Sequence, residues 1–281
     1  MTTVIFVRHA QSLHPYSDER TRPLTDEGMA DRRQVLDILK GRSIDAFLCS
    51  PYTRSLDTIR PLAEYFGMDI ITDERFRERQ PGMNALKFRS QRWADFSFAE
   101  EGGESMLSLQ KRNIEALTDV LHTYAEKTVV IGTHGTALGS ILSFYTDFGH
   151  GEFLRIVNMM PYIIELYFNG DTYIGSKELG YKVKDYQKTG FSKITACGGC
   201  CDGCAKKADG RCKGCIESDG YVPEWKESGR CRIHACTREH GVSFCGLCSE
   251  FPCDRITELM PWNKDIISHL TYLRDEYIRQ R

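Results

Sequence analysis

The sequence predicts an α/β fold in which short buried strands hand over to helices, followed by a second, smaller domain of different composition. Three observations carry this. Apolar runs at residues 4–7, 46–49 and 129–132 have the length of buried strands, the first and third with β-branched residues, and each leads on to a segment of helical periodicity. Two of the runs end on a histidine-bearing turn, Arg8-His9 after the first and His134-Gly135 after the third. The cysteines, finally, are segregated: only Cys49 precedes residue 197, and eleven of the twelve lie between Cys197 and Cys253.

That change of composition divides the 281 residues into a first domain over 1–190 and a cysteine-rich domain over 191–281. No apolar run reaches membrane-spanning length, and the N-terminus enters a strand without a targeting segment, so the expectation is a soluble, cytoplasmic protein with no membrane partner. In a reducing compartment clustered cysteines are metal ligands rather than disulfides. Nucleic acid is excluded as a partner by the charge balance: the net charge is −2, and residues 197–281 hold thirteen Lys and Arg against thirteen Asp and Glu, without a basic footprint.

In chain order, residues 14–23 form a polar loop, and Thr25 caps a helix whose Met29, Leu36 and Leu39 recur near helical spacing until Gly41. After the second strand, Ser50 reads as an N-cap and Pro51 as the first helical position, which places Arg54 in the first turn. Tyr52, Leu56, Ile59, Ala63 and Phe66 share the buried face, and Gly67 stops the helix. Residues 69–72 give a third strand, and a charged loop over 73–82 carries Glu78. The aromatic stretch 83–101, with Phe88, Trp93, Phe96 and Phe98, reads as a cap that either covers a site and sets its selectivity or simply packs. A long helix follows Ser105, with Leu107, Ile114, Leu117, Leu121 and Tyr124 on its stripe and His122 in a structural place beside it. The fourth strand leads into a helix over about 136–148, then a hairpin over 161–173 turning at Asn169-Gly170-Asp171, with residues 176–195 closing the domain.

Six short motifs recur in a telling order: Arg8-His9, Pro23-Leu-Thr-Asp-Glu-Gly28, Ser50-Pro51-x-x-Arg54, Phe76-Arg-Glu78, Gly102-Gly-Glu-Ser105 and His134-Gly135. Over about residues 1–180 the chain resembles the histidine phosphatase superfamily, the phosphoglycerate-mutase-like fold. The resemblance implies a three-layer sandwich with a mostly parallel central sheet and a metal-independent phosphatase acting on phosphorylated small molecules. Arg8 and Arg54 would grip the phosphoryl oxygens with planar guanidinium forks, and His134 and Gly135 would complete the phosphate contacts. His9 would be the nucleophile that forms a phosphohistidine, and Glu78 the acid and then the base. The chain departs from the family pattern at Pro15 and Tyr16, where an Asn usually follows the first histidine. Only about two dozen residues separate Glu78 from Gly103, shorter than the substrate-gripping insertion of mutases, so hydrolysis is favoured over phosphoglycerate-mutase-type transfer. The same residues would also suit a phosphohistidine or phosphoprotein phosphatase recruited by the second domain, or a non-catalytic phospho-ligand binding module.

The second domain holds four Cys-x-x-Cys pairs, Cys197/Cys200, Cys201/Cys204, Cys212/Cys215 and Cys245/Cys248, together with Cys231, Cys236 and Cys253 and nearby His234 and His240. Two thiolates from one tight turn span adjacent corners of a tetrahedron, so repeated pairs point to one or two structural zinc ions, with Cys197, Cys200, Cys212 and Cys215 among the ligands. An iron–sulfur cluster is the alternative. The spacing Cys197-x-x-x-Cys201-x-x-Cys204 matches a radical-enzyme pattern, but about 85 residues cannot build the barrel such enzymes use. The Cys-Gly-x-Cys start and the Cys-Gly-x-Cys-x-x-Phe-Pro-Cys end resemble a small bacterial cysteine-rich family of uncharacterised function. Apolar content is thin before an amphipathic helix over 266–277, so metal is expected to supply much of the folding free energy, and the domain to recruit a protein partner or substrate.

Overall fold

The computed structural model describes residues 1–279 apart from 15, 17, 84, 185–190, 202–206, 208–209 and 223–228. The chain divides into two compact units, Met1–Ser12 with Pro23–Tyr186, and Leu13–Arg22 with Gln187–Arg281.

The first unit is built on a mixed six-stranded sheet: β1 (Thr2–Arg8), β2 (Ala46–Cys49), β3 (Ile70–Thr72), β4 (Thr128–Thr133), β5 (Met159–Asn169) and β6 (Thr172–Val183). Their order across the sheet is β3-β2-β4-β1-β5-β6. The first four are parallel neighbours, and β5 and β6 add an antiparallel hairpin at the β1 edge. Alternate residues of β1 serve opposite faces, as the two-residue repeat of a strand requires. Val4 and Phe6 join one core with α5 (Met106–Thr123) and α6 (Gly135–Tyr145), while Ile5 and Val7 join another with α2 (Arg33–Leu39) and α3 (Thr53–Phe66). The result is the expected three-layer α/β sandwich.

Several expectations are revised. Met29 and Leu36 share one stripe only in an unbroken helix, but α1 (Asp26–Asp31) and α2 are separate, so Met29 is exposed and Val35 is buried in its place. Leu107 likewise faces outward; Met106 and Leu109 pack instead against Ala137, Trp93 and Phe96. Ser50 is not a helix cap, because α3 begins at Thr53 with Tyr52 as its N-cap. The aromatic stretch contains α4 (Arg89–Ala94), whose Trp93 packs against Phe148 and against Phe153 of α7 (His150–Ile156), a helix the periodicity did not reveal. The hairpin turns at Gly170-Asp171 as expected, but its second strand runs on to Val183, through residues read as a linker.

The second unit has a core of its own: Ile194, Ala196, Ile233, Phe244, Cys245, Ile256, Ile266, Leu270 and Leu273 are buried together, and Phe191 stacks on Phe244. It is fuller than its composition suggests, because three helices, Arg232–Glu239, Asp254–Leu259 and Ile266–Arg279, contribute to it. The glycines of both Cys-Gly-x-Cys motifs permit the last helix to approach closely: a Cβ on Gly198 would lie 2.8 Å from a Leu270 methyl, and one on Gly246 2.6 Å from the Leu270 carbonyl oxygen. Among the described residues no helix is long and apolar enough to cross a membrane.

Gly28 makes a comparable contact in the first unit. Thr25 caps α1 through Gly28 N–H and bonds the Gln11 carbonyl and side chain, so the turn after β1 rests on the start of α1. A Cβ on Gly28 would stand 2.1 Å from the Gln11 carbonyl oxygen. Gly28→Ala is therefore expected to cost about 1–3 kcal/mol of stability, read as a lower urea midpoint; a wild-type midpoint would show that the turn yields without cost.

Candidate active site

The site forms where β1, β2 and β4 end together. Arg8 of β1 is paired with Thr133 of β4, so the next residues, His9 and His134, leave adjacent strands at one level. Their rings lie edge to face with centroids 5.3 Å apart, and both side chains are buried. His9 Nδ1 donates to the Ala10 carbonyl at 2.7 Å. A carbonyl can only accept, so Nδ1 carries the proton, and in the neutral ring Nε2 is the unprotonated nitrogen.

His134 is the N-cap of α6, and its Nε2 shares a 2.7 Å hydrogen bond with Ser50 Oγ. Tyr52 packs on the His134 ring at 5.2 Å, and the Arg54 guanidinium carbon lies 5.0 Å from the Tyr52 ring centroid. Arg54 is completely buried in the first turn of α3. Thr58 ties that turn to the first strand's exit, donating to the Arg54 carbonyl at 2.7 Å and accepting from Ala10 N–H at 2.9 Å. Arg8 is fixed from another direction, by Nη1 bonds to the carbonyls of Ile156 and Met159. Its guanidinium runs beside Gly135, where a Cβ would sit 3.1 Å from Cζ. A larger residue at 135 would displace Arg8.

Glu78 reaches the same helix end. Its Oε1 accepts from Ala137 N–H and Arg79 N–H, at 3.1 and 2.8 Å, and its Oε2 accepts from Thr136 N–H at 3.1 Å. The first turn of a helix offers unsatisfied amides and a partial positive charge, so it holds a carboxylate well. His9, His134, Gly135, Arg8, Arg54 and Glu78, drawn from four separate segments, thus gather around the start of α6. Of the sequence departures noted near the first histidine, Pro15 lies outside the described residues.

Sequence reasoning missed the groups that support Glu78. Glu104 receives Arg112 in a two-point contact, Nε to Oε1 at 2.7 Å and Nη2 to Oε2 at 2.9 Å, and also accepts from Arg77 and from Gln80 N–H. Arg79, Arg92 and Glu100 form a second, deeply buried ionic cluster that ties the aromatic stretch down. The signal was half present: the Gly-Gly-Glu-Ser motif marks Glu104, and Arg112 follows eight residues later, about two helical turns along, where a side chain on the same face would be sought.

In the second unit Cys204 lies outside the described residues, and among those described no three Cys, His, Asp or Glu side chains come together closely enough to hold a metal ion. The thiols nevertheless fall into two neighbourhoods. Cys201 Sγ accepts from Cys215 N–H at 3.3 Å and Cys212 Sγ from Gly214 N–H at 3.3 Å. A hydrogen bond from the Cys215 thiol holds Cys201 down at about 6, and that bond, with burial and the charges of Cys197 and Cys212, pushes Cys215 up. Burial and the nearby Cys253, Cys236 and Cys248 push Cys245 up to about 12. Cys236, Cys245 and Cys253 line one small cavity with Arg255, Ile256 and Leu259. Cys197 and Cys200 are both half-buried.

Comparison with known proteins places the chain. A family model described as histidine phosphatase superfamily (branch 1) matches residues 4–173, and one described as a protein of unknown function (DUF3795) matches residues 193–258. The chain belongs to the histidine phosphatase superfamily, with a DUF3795 domain following. A 2,3-bisphosphoglycerate-dependent phosphoglycerate mutase of Thermoplasma acidophilum is 27% identical over 207 residues, covering 66% of this chain and 98% of the relative. A probable phosphoglycerate mutase of Yersinia pestis is 28% identical over 159 residues, covering 51% and 74%. Among solved structures, Bacillus stearothermophilus YhfR superposes with a TM-score of 0.53 at 21% identity, over 62% of this chain and 95% of that one. A phosphoserine phosphatase of Entamoeba histolytica gives 0.53 at 19%, over 64% and 96%.

Burial alone would raise the Glu104 carboxyl, but the hydrogen bonds and charge of Arg112, with Gln80 N–H and Arg77, outweigh it and hold it at about 2 against an ordinary 4.5. A carboxyl that titrates lower in the folded than in the unfolded chain stabilises the fold above pH 4.5, and this contribution is lost as pH falls towards 2. Its size is on the order of 3 kcal/mol. The stability gap between wild type and Glu104→Gln should therefore narrow between pH 7 and pH 3 in chemical denaturation; a constant gap would contradict the assignment.

Proposed function

We propose that residues 1–190 hydrolyse phosphate monoesters of small molecules through a phosphohistidine on His9. The observation that carries this is the gathering of His9, Arg8, Arg54, His134 and Glu78 at one helix start, with the His9 tautomer set by the Ala10 carbonyl. In the first step the His9 Nε2 lone pair attacks phosphorus in line, and the ester P–O bond breaks. The leaving alkoxide takes its proton from Glu78. In the second step the Glu78 carboxylate takes a proton from water, whose oxygen attacks the phosphohistidine and releases inorganic phosphate and neutral His9. Arg8, Arg54 and His134 bind the equatorial oxygens and offset the charge carried through both steps, which is the main demand of phosphoryl transfer. None of these steps calls for a metal.

The relatives named as phosphoglycerate mutases favour a second reading, in which a hydroxyl of a second substrate replaces water in the second step. Both readings share the phosphohistidine, and product analysis with 3-phosphoglycerate and 2,3-bisphosphoglycerate separates them. The short segment between Glu78 and Gly103 supports hydrolysis. His9→Ala is expected to abolish phosphate release from 4-nitrophenyl phosphate while leaving the circular-dichroism melting curve unchanged. Undiminished turnover in the folded variant would falsify the nucleophile assignment.

For the cysteine-rich unit the reading is one or two structural zinc ions, with an iron–sulfur cluster as the alternative. What supports this reading is the turn of Cys212 and Cys215, whose Gly214 N–H bonds the first sulfur, the pattern that supports a thiolate at such sites, with Cys201 adjoining Cys215. Zinc would supply folding free energy to this unit and take no part in the phosphoryl chemistry. Elemental analysis of anaerobically purified protein should give about one to two zinc per chain; a brown, iron-containing preparation without zinc would replace it with a cluster.

A further inference from the structure

We infer that Arg112 and Glu104 are positioning residues for Glu78; the inference rests on the reading of Glu78 as the proton donor and acceptor. Arg112 uses all five of its N–H donors. Two grip the Glu104 carboxylate, at 2.7 and 2.9 Å. The other three reach backbone carbonyls of the segment that carries Glu78: Arg75 at 2.6 Å, Arg77 at 2.8 Å and Glu78 itself at 3.1 Å. Glu104 completes the clamp from the other side, accepting from Gln80 N–H at 3.1 Å and from Arg77, which also donates to the Glu78 carbonyl at 3.0 Å.

The backbone from 75 to 80 is otherwise a short irregular stretch after a single 3-10 turn, Glu74–Phe76. Such a stretch has no ladder of its own to fix it, and three of its carbonyls are held by the one Arg112 side chain on α5. Both charged groups are largely buried, with side chains 14% and 11% exposed, where a planar two-point ion pair is stiff and little screened. Lysine would keep the charge but has neither the fork nor the reach to three carbonyls at once. Neither residue is placed to touch the phosphoryl group. Their effect passes through the position of the Glu78 carboxylate, and a displacement of about 1 Å in such a group can cost on the order of a hundredfold in rate.

The test exploits the fact that a proton donor matters only when the leaving group is a poor one. In the full-length protein, kcat/KM reports the step in which the ester bond breaks, and is measured for 4-nitrophenyl phosphate, whose phenolate leaves unaided, and for phenyl phosphate, which needs the proton. Arg112→Lys is expected to lower kcat/KM for phenyl phosphate about tenfold or more and for 4-nitrophenyl phosphate less than about threefold. Glu104→Gln, which keeps the side-chain shape, should show the same split and carries the test if Arg112→Lys does not fold. Glu78→Gln is run alongside. If it shows the split and the folded Arg112 and Glu104 variants lose both activities equally, or neither, the positioning role is overturned. If Glu78→Gln itself shows no split, the proton-donor reading fails independently.

Discussion

Everything at this site depends on one constraint, the parallel pairing of β1 with β4. Because Arg8 is opposite Thr133, the two strands end in step, and His9 N–H donates to the Thr133 carbonyl at 3.1 Å just beyond the last pair. β2 ends in step on the other side of β4, with Ser50 N–H bonded to the Gly132 carbonyl. Three turns that are far apart in sequence therefore open at a single sheet edge, which is where α/β folds build sites. A one-residue slip in either pairing would turn a histidine to the opposite face.

The start of α6 is the second organising feature, and it serves two kinds of group. His134 caps it and the Glu78 carboxylate takes its amides, while Arg8 lies against Gly135. A helix end that binds a carboxylate also favours a phosphoryl anion, so under the proposed reading the proton donor and the phosphate would be drawn to the same few ångströms. Held there, Glu78 needs support from behind, and the clamp of Arg112 and Glu104 provides it. Burying that ion pair is tolerable because its donors and acceptors are matched; the same charges left single would destabilise the fold.

The second unit solves a different problem. Among its described residues the core is small, with nine buried members, and the three helices that contribute to it are short except the last. Close approach of the final helix to Gly198 and Gly246 brings Leu270 against both Cys-Gly-x-Cys turns. Those glycines explain part of the motif without reference to metal, since any side chain there would push the helix away. The sulfurs themselves answer to a separate demand.

The sequence by itself determined the fold class, the four parallel strands and the helix stop at Gly67, and it offered six residues for phosphate chemistry. These are legible because they are local: a strand declares itself in a run of β-branched residues, a cap in one hydroxyl, a hairpin in Asn169-Gly170-Asp171, where Gly170 takes φ of 57°. Only the tertiary structure decided the rest. Ser50 looked like a cap and is instead bonded to His134, 84 residues away. Met29 and Leu107 obeyed the helical period yet face outward, because the first helix is broken and the first turn of α5 is covered through Met106. Beyond its spacing from Glu104, Arg112 carried no sign of its task, since its other partners are backbone carbonyls 34 to 37 residues earlier, and a carbonyl looks the same at every position of a sequence.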